Sequence, residues 1–282
     1  MKFYKLAALL AIFTLPTSAQ AGALESIFQD EIVKLEDVDY EVALDGGDGT
    51  LDVGDHLLAI IEFEGTRLAA SNNLVFSADP TTDAITAVSL VTVTGVTTEA
   101  GGSIANYVLT GADAATWSTH TGITAVDGTA LIAYLDPPSD PGEHITNSTV
   151  AAGVASATEG DELFRFGVDA SVGFSGTATD FAGGTNDATN ANNLDSLNFF
   201  GGFDVISQTA MTSSITFVKH NFLGLTGSSD LQLQGALESQ GGAGGFDFVT
   251  DSDVYFYAVP EPSSLLAFAG VFGLGLMRRR RS

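Results

Sequence analysis

The sequence predicts a mainly β protein: an antiparallel, β-sandwich-like exported domain. Three observations carry that expectation. Apolar and polar residues alternate with a period of two in several short stretches. Clusters of Gly, Asn, Asp, Ser and Thr separate those stretches, as tight turns require. Helical periodicity is scarce, and alternation with frequent turns favours antiparallel pairing over a parallel α/β sheet.

Along the chain, Leu24, Ile27, Phe28, Glu31, Ile32 and Leu35 fit one face of a short helix. Leu57 to Phe63 is apolar enough for a buried strand, and Val91-Thr92-Val93-Thr94 alternates. Asp113 to Trp117 predicts a single helical turn capped by Asp113. Asp136-Pro137-Pro138 with Asp140-Pro141 makes a rigid bend, the best internal boundary, near residues 136–142. Phe164 to Val168 and Leu231 to Gln234 alternate again, Ile215 to Lys219 does so in part, and Val254 to Val259 reads as a buried strand. Residues 182–193 and 239–245 read as long loops. Trp117, Tyr107 and Tyr134 read as core aromatics.

The chain has 282 residues, no cysteine and a formal net charge of -25. Its bases cluster at the ends: Lys2 and Lys5, then Arg278, Arg279, Arg280 and Arg281. Only Lys34, Arg67, Arg165 and Lys219 lie between, against every acid except Glu261. That body carries about -30 and repels polyanions, which excludes a nucleic-acid binder. The absence of cysteine excludes thiolate metal sites and a thiol nucleophile.

Within the body one constellation stands out. Asp45-Gly-Gly-Asp48-Gly-Thr-Leu-Asp52-Val-Gly-Asp55 places four carboxylates close together among turn-forming glycines. Closely spaced Asp side chains with backbone carbonyls supply the oxygen ligands that calcium takes. The stretch from Asp48 to Asp55 resembles the second half of a dockerin or EF-hand-like loop, while the spacing from Asp45 to Asp48 departs from it. Two readings stand: a structural calcium site at Asp45, Asp48, Asp52 and Asp55, or a solvated Asp-Gly turn between strands. No other cofactor is expected. Asp251 and Asp253 are further acids ahead of a strand, and His56, His120, His144 and His220 are dispersed without a His-x-x-x-His pair. Gly173-Phe174-Ser175-Gly176 lacks the spacing of a nucleophile elbow.

The ends read as addresses. Lys2 and Lys5 precede the apolar run Leu6 to Phe13, Pro16 breaks it, and Ala19-Gln20-Ala21 offers the small residues that signal peptidase reads. Residues 1–21 are thus expected to be a signal peptide and residues 22–258 an acidic extracytoplasmic domain. At the other end, Pro260-Glu261-Pro262 precedes an apolar segment, residues 263–277, and then Arg278 to Arg281. The segment is about 15 residues long, a short transmembrane helix whose arginines stay on the cytoplasmic side and snorkel to the interface.

These last residues, 259–282, resemble the PEP-CTERM sorting signal of Gram-negative bacteria. The resemblance rests on Pro260, Glu261 and Pro262, the apolar helix after them and the terminal arginines. It implies export, transient anchoring in the inner membrane and recognition by an exosortase, which would cleave near the motif and pass the body to the cell surface or the extracellular space. It also implies a setting of biofilm and exopolysaccharide. A non-enzymatic surface or matrix protein is the reading expected first. A carbohydrate-binding module for exopolysaccharide is the second, and a secreted hydrolase the third.

Overall fold

The computed structural model describes residues 23–29, 31–78, 82–137, 144–179, 189, 196–213, 215–240 and 243–260. The expected signal peptide, the expected membrane helix and nearly all of the expected loop at 182–193 lie outside the described residues. Among the described residues no helix is long and apolar enough to cross a membrane.

Strand β1 (Val33–Leu44) shows how the sequence builds the sheet. Val33 and Leu35 point inward, and the period of two then carries Asp37, Asp39 and Glu41 to the same face. The intervening Tyr40 and Val42 pack outward, in a second apolar cluster. The short helix expected over Leu24 to Leu35 is therefore corrected: helix α1 covers only Ala23–Ser26, and Val33 and Leu35 already belong to β1. Pairing on both sides, with β2 (His56–Leu68) and β12 (Phe248–Phe256), outweighs the weak local helical period.

The remaining strands are β3 (Leu74–Ser77), β4 (Ala84–Thr98), β5 (Ile104–Gly111), β6 (Thr129–Asp136), β7 (Asp161–Val168), β8 (Phe174–Thr179), β9 (Ser196–Gln208), β10 (Ile215–Phe217), β11 (Leu231–Gln240) and β13 (Ala258–Pro260). Eleven of the thirteen described strands form one sheet in the order β3-β2-β1-β12-β11-β9-β7-β6-β4-β5-β8, and all their pairings are antiparallel. The two further pairings, β2 with β4 and β8 with β9, close this sheet on itself. The antiparallel β expectation holds. The two sheets of a sandwich are replaced by one continuous sheet that bends round a single interior.

The long strands β4 and β9 make that closure. Ala84 to Ser89 of β4 pair with β6, while Val91 to Thr98 pair with β5 across a register shift beside Gly95. Strand β9 divides likewise, Ser196 to Gly201 pairing with β8 and Phe203 to Gln208 with β7. Such shifts bend a strand and raise its twist, so one strand serves two neighbours on the same side. The interior is filled by Ile61, Phe63, Val91, Leu131, Phe166, Phe199, Leu233 and their neighbours.

A smaller apolar cluster covers the outer face of β2, β4 and β6. Helix α2 (Ala114–Thr121) begins where expected, with Asp113 accepting from the Thr116 amide at 2.7 Å, and ends at Gly122, whose φ of 74° suits glycine. It buries Trp117 completely, and the indole Nε1–H donates to the Thr129 carbonyl at 2.8 Å. Helix α3 (Val150–Ala157) is capped by Thr149 and lays Gly153 against Ile60. Of the expected boundary at 136–142 only Asp136 and Pro137 lie within the described residues; the strands before and after it, β6 and β7, pair directly. The expected loop at 239–245 is shorter than read: β11 runs to Gln240, and Ala243–Gly245 form a 3₁₀ turn.

Candidate functional site

Four places hold the residues to which chemistry was assigned or in which it could reside. The first is the end of the described chain. Strand β13 leaves the body paired with β10: Ile215 opposes Pro260, Thr216 opposes Val259 and Phe217 opposes Ala258. Phe217 anchors this two-stranded piece, with ring centroids 5.0 Å from Phe164, 5.7 Å from Phe166 and 5.8 Å from Phe256. Pro260 therefore stands in the last paired position among the described residues. Glu261, Pro262 and Arg278 to Arg281 lie outside the described residues.

The second is the acidic loop. Asp45 accepts from the Gly47 amide at 2.8 Å, Asp48 from Thr50 at 2.9 Å and Asp55 from Asp52 at 2.6 Å. Each of these carboxylates closes its own turn. Backbone bonds from Gly54 to Val93 and from Val93 to Asp55 pin the loop to β4. Gly46, Gly47, Gly49 and Gly54 all have positive φ, which the local backbone demands of them. Among the described residues no three His, Asp or Glu side chains gather as a metal site, so as placed the four aspartates do not form a shared ligand set.

The third is inside the barrel, and no local pattern in the sequence announces it. Asp37, Asp39 and Glu41 are buried on the inner face of β1. The Ser252 amide donates to Asp37 Oδ1 at 2.6 Å, and the Ser252 hydroxyl donates to Asp39 Oδ2 at 3.1 Å. Asp37 Oδ2, Asp39 Oδ1, Glu41 Oε2 and the Thr250 hydroxyl have no hydrogen-bond partner. Asp39 and Glu41 border a cavity of about 40 Å³ lined mainly by apolar groups such as Leu57, Phe199 and Leu233, with Ser89 and Tyr107 among them, room for very few waters. Removal from water raises all three carboxyls, Asp39 to about 7; the charge of Asp39 adds to the rise at Asp37 and Glu41, and that of Asp251 to the rise at Asp39. An acid at every second position reads as a solvent face. Here the outer residues Tyr40 and Val42 claim the other cluster, and the acids turn inward.

A related buried pair joins Asp136 and His144, with His144 Nδ1 3.2 Å from Asp136 Oδ2. Burial pushes the Asp136 carboxyl up to about 6. The histidines are dispersed in sequence, yet His56 and His120 come together with ring centroids 5.6 Å apart. Trp117, Tyr107 and Tyr134 are all buried, as expected of core aromatics.

The fourth place is the outer face of β9, β11 and β12. Here Asn198, Phe200, Gln234, Ala236, Asp251 and Asp253 line a groove of about 540 Å³. Lys34 bridges Asp253 at 3.0 Å and Glu36 at 2.8 Å, and the Tyr255 hydroxyl donates to Asp253 at 3.1 Å. Elsewhere on the surface Arg67 pairs with Glu36, Arg165 with Glu162, and Lys219 with Asp169 and Asp204. All four bases of the described body are thus paired with acids.

No curated protein and no solved structure matches this chain. The family model described as the PEP-CTERM protein-sorting motif matches residues 258–281. The match begins at Ala258, the first residue of β13, so the signal starts in the last of the described strands. The chain carries a PEP-CTERM sorting signal at its C-terminal end.

Proposed function

We propose that this is a non-enzymatic surface or matrix protein, exported, held briefly in the inner membrane and released by an exosortase as an intact β-barrel body. The observation that carries the reading is the junction: the sorting motif begins in β13, the last described strand, which is still paired to the body. A cut beyond Pro260 leaves every described strand in place. The acidic surface suits a hydrated extracellular setting. The expected helix at 263–277 and the arginines after it supply the temporary anchor, and a signal peptide at 1–21 supplies entry.

Intact-mass spectrometry of the mature protein tests this. A product ending close to Pro260–Pro262 in cells with a working exosortase supports the reading. A mature form still carrying Leu265 to Ser282 in such cells overturns it. The third reading, a secreted hydrolase, is met by activity screening against polysaccharides and esters, where no turnover is expected. Calcium at Asp45, Asp48, Asp52 and Asp55 stands as a proposal of its own. It requires carboxylates that now cap separate turns to swing together, and a melt unchanged by chelator removes it. The second reading, carbohydrate binding, is favoured by the groove on β9, β11 and β12.

A further inference from the structure

The register of the sheet sets the groove residues in rows. Phe200 on β9 opposes Gln234 on β11, which opposes Asp253 on β12. One step along, Asn198 opposes Ala236, which opposes Asp251. The small Ala236 leaves the floor low, and the loop residues Leu223 and Leu225 form a wall. Phe200 is 48% exposed although it sits in the middle of a strand paired on both sides. Beyond the polar strip Phe222, 43% exposed, stacks on Tyr255 with ring centroids 4.8 Å apart. The exposed ring of Phe200 thus lies beside a strip of amides and carboxylates, and a second exposed ring, Phe222, sits next to the groove on Tyr255.

We propose that this groove binds a neutral glycan chain, with a sugar ring on the face of Phe200 and its hydroxyls on Asn198, Gln234 and Asp251. The assignment deepens the carbohydrate-binding reading above. A sugar ring has an apolar C–H face and a rim of hydroxyls that both donate and accept. Aromatic faces suit the first, and side-chain amides and carboxylates suit the second. Other occupants match less well. Strand β11 is paired along both edges, with β9 and β12, so a peptide cannot add to it as a further strand. Asp251 and Asp253, with Glu36 and Glu238 on the same outer face, repel a polyuronate. Asp253 is already met by Lys34, Tyr255 and Gln234, and a basic peptide drawn to the remaining acids is told apart by polylysine in the test below.

The experiment uses the full-length chain purified in mild detergent and titrated by calorimetry. The probes are neutral oligosaccharides (cellohexaose, maltohexaose, mannohexaose), with alginate and polylysine as charged probes. At least one neutral oligosaccharide is expected to bind, and Phe200→Ala is expected to weaken it about tenfold or more. Phe200→Tyr, which keeps the ring, should restore binding. Val108→Ala, an exposed position on β5 outside the groove, should leave it unchanged. Because Phe200 is exposed, all three variants should melt as the parent does. The proposal is overturned by binding of no neutral probe, by neutral binding indifferent to Phe200→Ala, or by binding of alginate or polylysine alone. Failure here leaves the mature C-terminus untouched, so loss of this site and loss of the export reading are separate results.

Discussion

Asp39 and Ser252 meet inside the barrel: the serine hydroxyl donates to one carboxylate oxygen at 3.1 Å, and the other oxygen has no partner. With Asp37 and Glu41 on the same strand face, this makes the interior a place where protons are held more tightly than in the unfolded chain. Asp39 is raised from the usual carboxylate range to about 7, by burial first. The folded state therefore keeps a proton that the unfolded state has released, and stability falls as pH rises across that window. Asp136, raised to about 6, acts in the same direction. We expect the melting temperature to drop by several degrees between pH 5 and pH 8. Asp39→Asn should flatten that slope and raise the melt at pH 8. A parent melt that is level or rising over this range would refute the account.

Trp117 is expected to matter for stability and not for ligand binding, since it is fully buried beneath the outer cluster. Trp117→Phe keeps most of the apolar volume but leaves the Thr129 carbonyl without the indole donor. The expected cost is about 1–3 kcal/mol, and about 3–5 kcal/mol for Trp117→Ala. Urea unfolding reads both, and equal midpoints for Trp117→Phe and the parent would contradict the assignment.

Gly153 inverts the usual rule for helices. Replacing a helical glycine by alanine normally gains about 1 kcal/mol. Here the added Cβ would run into Ile60 and stand 2.9 Å from the Thr146 carbonyl oxygen. Gly153→Ala should therefore destabilise by about 1–3 kcal/mol. Ile60→Val in the same chain should relieve part of that loss. Stabilisation by Gly153→Ala alone would show that α3 sits further from the sheet.

The pairing of β10 with β13 depends on Phe217 more than on its three ladder positions. Phe217→Ala removes the ring packed against Phe164, Phe166 and Phe256. Hydrogen exchange should then quicken at Thr216 to Val218 and Ala258 to Val259, with β2 and β4 protected as before. Acceleration throughout the sheet would mean that the pair is integral to the barrel.

Much of the sheet was legible in the sequence because a strand with one dry face writes its own period. Val91 to Thr94, Phe164 to Val168 and Leu231 to Gln234 all lie in strands. The first strand was not legible, because both of its faces are covered and carboxylates take the inner one. Nothing local distinguishes Asp39 from a solvated acid; its burial follows from Tyr40 and Val42 packing with Ile60 and Leu58. The groove was half visible: Asp251 and Asp253 drew attention, but Phe200 and Gln234 join them only through the register of β9, β11 and β12. The sorting signal was the most legible feature, since a contiguous motif needs no tertiary contact.

One property of the closed sheet bears on life outside the cell. Of its eleven strands, only the four-residue β3 has a single neighbour. Sheets that end in long open strands tend to template one another when crowded. Among the described residues the sheet leaves no such long open strand, so crowded copies lack the edge through which one sheet would extend into the next. A crowded coat could then be built from reversible side-chain contacts, leaving each particle recoverable on dilution.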